Sequence, residues 1–395
     1  MPQSIPALVR PALLTWARES AGLHFDDVAT KFGEDVETLR QWERGDDRPS
    51  IAQLRKLADL YKRPLAVFFL PEPPHGFDAQ REFRRLPGLM PQKESPELRL
   101  ALRTALFRRE AAKELYARLG EETPAIKAKV NPNEDPDIVG SRIREALGIT
   151  WEMQLAWPSA HAALNGWRQA VEKLGVLVFQ TGGIGLKEMR GTSITHGPIP
   201  VILLNNADAP HGRIFTLIHE FVHILLANSG HRTSTMEGRR HPEDQFLERV
   251  SNRFAASVLL PKDEFLVQVS AYPEAFDGDD NALRKLASRI KASPEAILRR
   301  MVSLHRASTA VYRRKREAWQ LRGWYAPPAG EGGPPIEVRV VSSVGRPFVS
   351  LILESYQRNA ISSSDVSDYL GVQLKHLNRI VGELAGRPGS SALAS

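Results

Sequence analysis

Two histidines four residues apart, with a glutamate directly after the first, occupy the run FTLIHEFVHILL from Phe215 to Leu226: His219, Glu220 and His223. Residues four apart share one face of an α-helix, so the two imidazoles project together and can meet a single metal ion. Glu220, one step round the helix, then reaches a water on that ion. It can take the water's proton as the oxygen attacks a peptide carbonyl and pass it to the leaving amine. Apart from Thr216 and these three residues the run is apolar, which carries polar groups into a buried face; a bound cation removes the cost of burying them. The competing reading is a pair of core histidines satisfied by hydrogen bonds.

A catalytic zinc keeps three protein ligands and one open position. The chain contains no cysteine, which rules out thiolate ligands, disulfides and cysteine catalysis and leaves a downstream acid or histidine as third donor. His231, His241, Glu243, Asp244 and Glu248 are the candidates. The run FLERVSNRFAASVLLP, residues 246–261, has helical apolar spacing through Leu247, Val250, Phe254 and Val258, so a second helix can lie beside the first and offer one side chain to the metal.

Taken together, the two runs resemble the ImmA/IrrE family of metallopeptidases, whose second motif reads approximately E-x-x-A-N-x-F-A-A-x-L-L-x-P. The resemblance spans residues 166–271 and implies Glu248 as third ligand, with Asn252 one turn later hydrogen-bonding a ligating histidine. The sequence departs from the pattern at Ser251, at Val258 and at Val250, where many members carry Glu; none of these is a proposed ligand. What the resemblance implies is a gluzincin-like metalloendopeptidase with zinc as cofactor. A two-histidine, one-carboxylate set also accommodates manganese or another divalent ion. The resemblance further implies a site-specific protease that cuts an XRE-type repressor and so derepresses stress, DNA-damage or mobile-element genes.

The elements that must position this chemistry follow from changes of period. VLVFQ and PVILLNN, with GTSIT between them, are short apolar runs that read as strands ahead of the long apolar helix. A substrate segment is expected to lie along an edge strand at 199–204, where main-chain hydrogen bonds hold the scissile peptide. Candidates for steadying the oxyanion are His211, His196 and Tyr312. The glycines of TGGIG lack the dinucleotide-binding spacing, because Glu188 stands where the last glycine would fall.

Upstream, residues 8–70 alternate short helical patterns with turns at Gly33 and Gly45. Through Ala29, Gly33, Trp42, Glu43, Gly45 and Pro49 they resemble the helix-turn-helix of the XRE (Cro/cI-like) repressors. The presumed recognition helix opens on Glu34, Asp35 and Glu37, leaving Arg40, Gln41 and Arg44 as its candidate DNA contacts. The alternative is a helix-turn-helix kept for protein docking or for pairing two chains as a homodimer.

The net charge is +7, but it is concentrated in residues 281–322. Within them ALRKLASRIKASPEAILRRMVSL has a helix, turn, helix shape with Ser293 and Pro294 at the second start. The cationic run that follows, with Arg313, Arg314, Lys315 and Arg316, suits phosphate or an acidic partner; a solvated helix face is the other reading. No run is apolar and long enough for a membrane span, and the first thirty residues lack a secretory pattern, so no membrane partner and a cytoplasmic location are expected.

The expected architecture is a multidomain, predominantly α chain with an α+β zincin-like metallopeptidase core and an N-terminal all-α helix-turn-helix domain. The expected divisions are 1–75 (helix-turn-helix), 76–158 (helical connector), 159–271 (metallopeptidase), 272–326 (basic helical segment), 327–336 (linker) and 337–395 (small helical bundle and disordered tail). Two rivals stand beside the protease. One is a DNA-binding regulator, or antitoxin-like repressor, with a peptidase-like sensing or scaffold domain; the other is a nucleic-acid-binding adaptor that cleaves nothing.

Overall fold

A computed structural model describes residues 6–61, 63, 65–73, 95–195, 197–231, 242–321 and 333–386. His196, His241, most of the expected 327–336 linker and the tail from residue 387 lie outside the described residues. The chain divides into two compact units, residues 1–82 with 91–104, and residues 83–90 with 105–395. The fold is multidomain and mostly helical.

The first unit contains α1 (Pro11–Ser20), α2 (Phe25–Phe32), α3 (Val36–Arg44), α4 (Ile51–Tyr61) and a 3-10 turn at Leu65–Phe69. Gly33 (φ 84°) and Gly45 (φ 86°) close α2 and α3 in the left-handed conformation, where a side chain would be strained. Leu13, Ala17, Val28, Leu39, Trp42, Leu54 and Phe68 form its core. Against that core lies a bidentate pair, Arg18 to Glu43 at 2.7 and 3.0 Å. The acids that open α3 serve local structure: Asp35 accepts from the Thr38 amide at 2.7 Å as the N-cap, and Glu34 accepts from Gln53 at 3.1 Å.

In the second unit, α5 (Pro96–Leu119) contributes its part beyond Thr104. Next come α6 (Pro136–Leu147), α7 (Trp151–Ala156), α8 (Ala160–Lys173), β1 (Leu177–Thr181), β2 (Gly191–Ile194), β3 (Val201–Asn205), α9 (Pro210–Asn228) and α10 (Pro242–Leu259). Then follow α11 (Lys262–Ser270), α12 (Asp280–Ile290), α13 (Pro294–Ser303) and α14 (Thr309–Leu321). The chain ends in α15 (Ile336–Val344), α16 (Arg346–Gln357), α17 (Ser363–Leu370) and α18 (Leu377–Leu384).

The sheet order is β1-β3-β2, with β1 parallel and β2 antiparallel to β3. This corrects the expectation of an edge strand at 199–204: β3 is the central strand, because the short GTSI segment pairs along its far side and becomes the edge. Gly191 is required there, since a Cβ would lie 2.4 Å from the Thr216 methyl on α9. On one face Val178, Ile202 and Leu204 join the main core with Leu217, Ile218, Phe221 and Leu225 of α9. On the other, Phe179 meets Phe348 of α16 edge-on at 5.9 Å. Both faces are covered, which explains why β1 and β3 read as unbroken apolar runs. Helix α15, in the stretch expected as a small helical bundle, ties onto the same region: the Ser342 carbonyl accepts from Gln180 at 2.9 Å and also from Arg168.

A buried polar junction fixes the far end of α10. Gln154, fully buried, donates from its amide to the carbonyls of Leu259 at 3.0 Å and Ile290 at 2.8 Å and accepts from Arg144 at 2.7 Å. Arg144 also reaches the Val258 carbonyl at 2.8 Å. Gln154→Leu is expected to destabilise the chain by about 1–3 kcal/mol, because it strands two carbonyls and part of a guanidinium in the core. Urea unfolding measures this; an unchanged midpoint would show the junction to be dispensable.

Candidate metal centre

Helix α9 places His219, Glu220 and His223 as the spacing requires, and α10 lies alongside it. The Nε2 atoms of His219 and His223 are 3.1 Å apart. Glu248 on α10 faces both, with Oε2 3.4 Å from His219 Nε2 and Oε1 3.0 Å from His223 Nε2. One ligand atom from each of the three residues lies within 4.8 Å of the others, and they form a potential metal-holding cluster among the described residues. Of the downstream candidates among the described residues only Glu248 joins it; Glu243 and Asp244 sit in the first turn of α10 and His231 just beyond α9, while His241 lies outside the described residues.

These distances fit a metal. Ligands about 2.0–2.1 Å from a tetrahedral ion stand about 3.3 Å from one another, and the three separations bracket that value. Without a cation, two imidazole nitrogens and a carboxylate would crowd together in a largely buried place. Burial pushes the Glu248 carboxyl up, but hydrogen bonds from His219 and His223, with their charges, outweigh it and hold the group down at about 2. Burial opposes the charge on His219 too. The bond to Glu248 and the nearby Glu220 and Glu248 carboxylates nevertheless leave it raised, against a smaller push from Arg299.

A metal therefore competes with protons for the His219 ring, whose protonated form the Glu248 bond favours. Zinc affinity is expected to fall as pH drops from about 8 to about 6, with proton release during binding. Calorimetry in two buffers of different ionisation enthalpy reads that release, and a pH-independent affinity would contradict it.

Glu220 is 5% exposed and accepts a 2.7 Å hydrogen bond from the hydroxyl of Ser193 on β2. Ser193 pairs with Ile202 in the sheet register, which turns its side chain to the face that carries α9. The sequence offered only a weak strand there, and nothing in it marked Ser193. Asn252 differs from expectation: its amide donates to the Glu248 carbonyl at 2.9 Å and not to a histidine ring. At four residues' spacing along α10 its own helix backbone is nearer than α9, so it supports the helix that bears Glu248.

Of the oxyanion candidates, His196 lies outside the described residues. The Tyr312 hydroxyl donates to Glu295 at 3.1 Å, while His211 lies two turns before His219 on α9. On α3, Arg40 and Arg44 are exposed and Gln41 half-buried. Arg44 pairs with Glu37 at 3.2 Å, and Arg40 lies over the Phe25 ring at 5.5 Å. The basic segment folds as α12, α13 and α14, with Ser293 capping α13 at 3.1 Å. Arg313, Arg314 and Arg316 are exposed. Lys315 pairs with Asp280 at 3.0 Å and Arg316 approaches Glu295 at 3.8 Å, while Arg300 is buried against Asp137. Part of the positive charge is thus structural.

Residues 171–302 match the M78 peptidase family model described as the IrrE N-terminal-like domain, and residues 14–68 match a helix-turn-helix family model. The chain carries an XRE-type helix-turn-helix domain and an M78 peptidase (IrrE N-terminal-like) domain. Among solved structures it is similar to a Mycobacterium tuberculosis transcriptional regulator at 14% identity and a TM-score of 0.30. That match covers 49% of this chain and 52% of the other, so the chain spans about half the length of that regulator. No curated protein matches. Among the described residues no helix is long and apolar enough to cross a membrane.

Proposed function

We propose that this chain is a zinc-dependent site-specific endopeptidase, with His219, His223 and Glu248 as metal ligands and Glu220 as the general base. The observation that carries the reading is the meeting of two imidazoles and one carboxylate from two packed helices, with a buried second carboxylate directly beside them. The ion supplies a site where a water is acidified and a carbonyl polarised; zinc is the leading choice and manganese suits the same donors. Glu220 takes the proton of the attacking water and returns it to the leaving amine. Ser193 holds that carboxylate in place. Edge strand β2, which carries Ser193, offers main-chain groups along which an extended substrate can lie.

Ser193→Ala is expected to lower kcat about tenfold, the loss of one hydrogen bond to a charged group, with KM and metal content unchanged. Threonine should restore most of the rate. A larger KM with unaltered kcat would place Ser193 in substrate binding instead.

The substrate in this reading is an XRE-type repressor, and cleavage derepresses the genes it controls. The helix-turn-helix at 14–68 brings the chain to DNA or to a like-folded partner through Arg40, Gln41 and Arg44, and Arg313, Arg314, Lys315 and Arg316 add a cationic surface. The divisions at 75, 158, 271, 326 and 336 are carried into this reading. The experiment is incubation of zinc-loaded protein with purified XRE-type repressors, reading new termini by mass spectrometry beside Glu220→Gln. One discrete cut absent from the variant supports the reading. The alternative, a DNA-binding regulator whose peptidase-like domain senses or scaffolds, is favoured by the helix-turn-helix itself; zinc binding and operator binding with no cleavage would select it.

A further inference from the structure

Most of α9 is buried, but His211, Phe215 and His219 are each partly exposed. Spaced four residues apart, they form one stripe of the helix, with Phe215 stacked on His219 at 6.3 Å. The stripe leads from the metal donors back to His211, eight residues or about 12 Å along the axis. There it reaches a cavity of about 300 Å³. Pro294, at the start of α13, also lines the cavity.

The cavity's chemistry is one-sided. His211, Arg284 and Lys291 line it, Ser159 and Ser288 add hydroxyls, and no acid is among the described lining residues. His211 Nε2 is shielded from solvent and has no hydrogen-bond partner among the described residues, an arrangement that costs free energy unless a ligand completes it. Burial, with the positive charges of Lys291 and His161, holds its imidazole below the ordinary range. Lys291 adopts the left-handed conformation, φ 62°, at the end of α12, uncommon for a residue of its kind. Lys291 is the helix's C-cap and its ammonium donates to the Ser288 carbonyl; a carboxylate in the cavity would accept from that ammonium, from the Arg284 guanidinium, from the hydroxyls and from an imidazole N–H.

We propose that this cavity binds an acidic side chain of a polypeptide laid along α9, which makes it a specificity pocket for the metal centre. The assignment of the polypeptide as substrate rests on the peptidase reading above. An extended chain advances about 3.3–3.4 Å per residue, so the pocket selects Asp or Glu three to four residues from the scissile bond.

The test reads binding without cleavage. The full chain, with nitrogen-15 in its histidines, is titrated with N-acetyl-glutamate N-methylamide, with the neutral glutamine analogue, and with inorganic phosphate, following the His211 imidazole resonances by NMR. The expected result is a saturable His211 shift with the glutamate probe, absent with glutamine and weaker with phosphate. Arg284→Gln with Lys291→Asn should weaken it at least about tenfold; asparagine tolerates the left-handed backbone, and thermal unfolding checks the fold. No saturable shift, equal binding of glutamine, or tighter binding of phosphate would overturn the pocket. Glutamate binding by a chain that binds zinc yet cleaves nothing would keep the pocket and reject the peptidase reading.

Discussion

Glu220→Gln is expected to reduce peptide hydrolysis by on the order of 10²–10⁴-fold, the range for removal of a positioned general base, while leaving bound zinc unchanged. Glutamine matches the side chain in size and can still accept from the Ser193 hydroxyl, now 2.7 Å from Glu220 Oε2, so packing beneath the site is retained. It cannot accept a proton. Glu220 is also outside the donor cluster of His219, His223 and Glu248, and metal content by atomic emission should therefore match wild type. A variant that hydrolyses peptide at the wild-type rate removes Glu220 from the chemistry. A variant that loses its metal reassigns it to the coordination set.

The second large effect is expected at Glu248, where alanine should cost more zinc affinity than the roughly 10–100-fold that follows loss of an outer partner of a metal ligand. Glu248 is the one carboxylate in the cluster, and with no cysteine in the chain the described residues offer no other donor in reach. Its oxygens face both histidines, at 3.4 and 3.0 Å. Its removal also leaves His219 and His223 facing each other at 3.1 Å with no anion between them. Competition with a coloured chelator measures the affinity, and circular dichroism checks that α10 still forms. Retained tight binding would mean that a residue outside the pair of helices supplies the third ligand.

Much of the site was legible because helical spacing is local. Four residues between His219 and His223 set one face regardless of what surrounds them, and the apolar spacing through Leu247, Val250, Phe254 and Val258 announced α10 as an amphipathic helix. For the choice of Glu248 among five candidates the residues alone were insufficient. Family resemblance suggested it, and the packed helices bring it to the imidazoles. Strand order was misread for a physical reason. An apolar run such as 201–205 is compatible with an edge or a centre, and the four-residue β2 that makes it central carries little pattern of its own.

Asn252 was matched to a role across helices when its own backbone was the nearer partner. Helix α15 was not singled out within the expected 337–395 bundle because IEVRVVSSV is rich in β-branched residues, whose helix propensity is low; it forms beside β1, where its Ser342 carbonyl accepts from Gln180.

By itself the sequence determined the donors that share a helix, the absence of thiolate chemistry and the two domain types, since each depends on residue identity and short spacing. Tertiary structure alone decided that Ser193 holds Glu220, that β2 is an edge strand of the described sheet and that His211 lines a cationic cavity. Those relations join residues far apart in the chain, and only register and helix packing, which no local period encodes, bring them within a few ångströms.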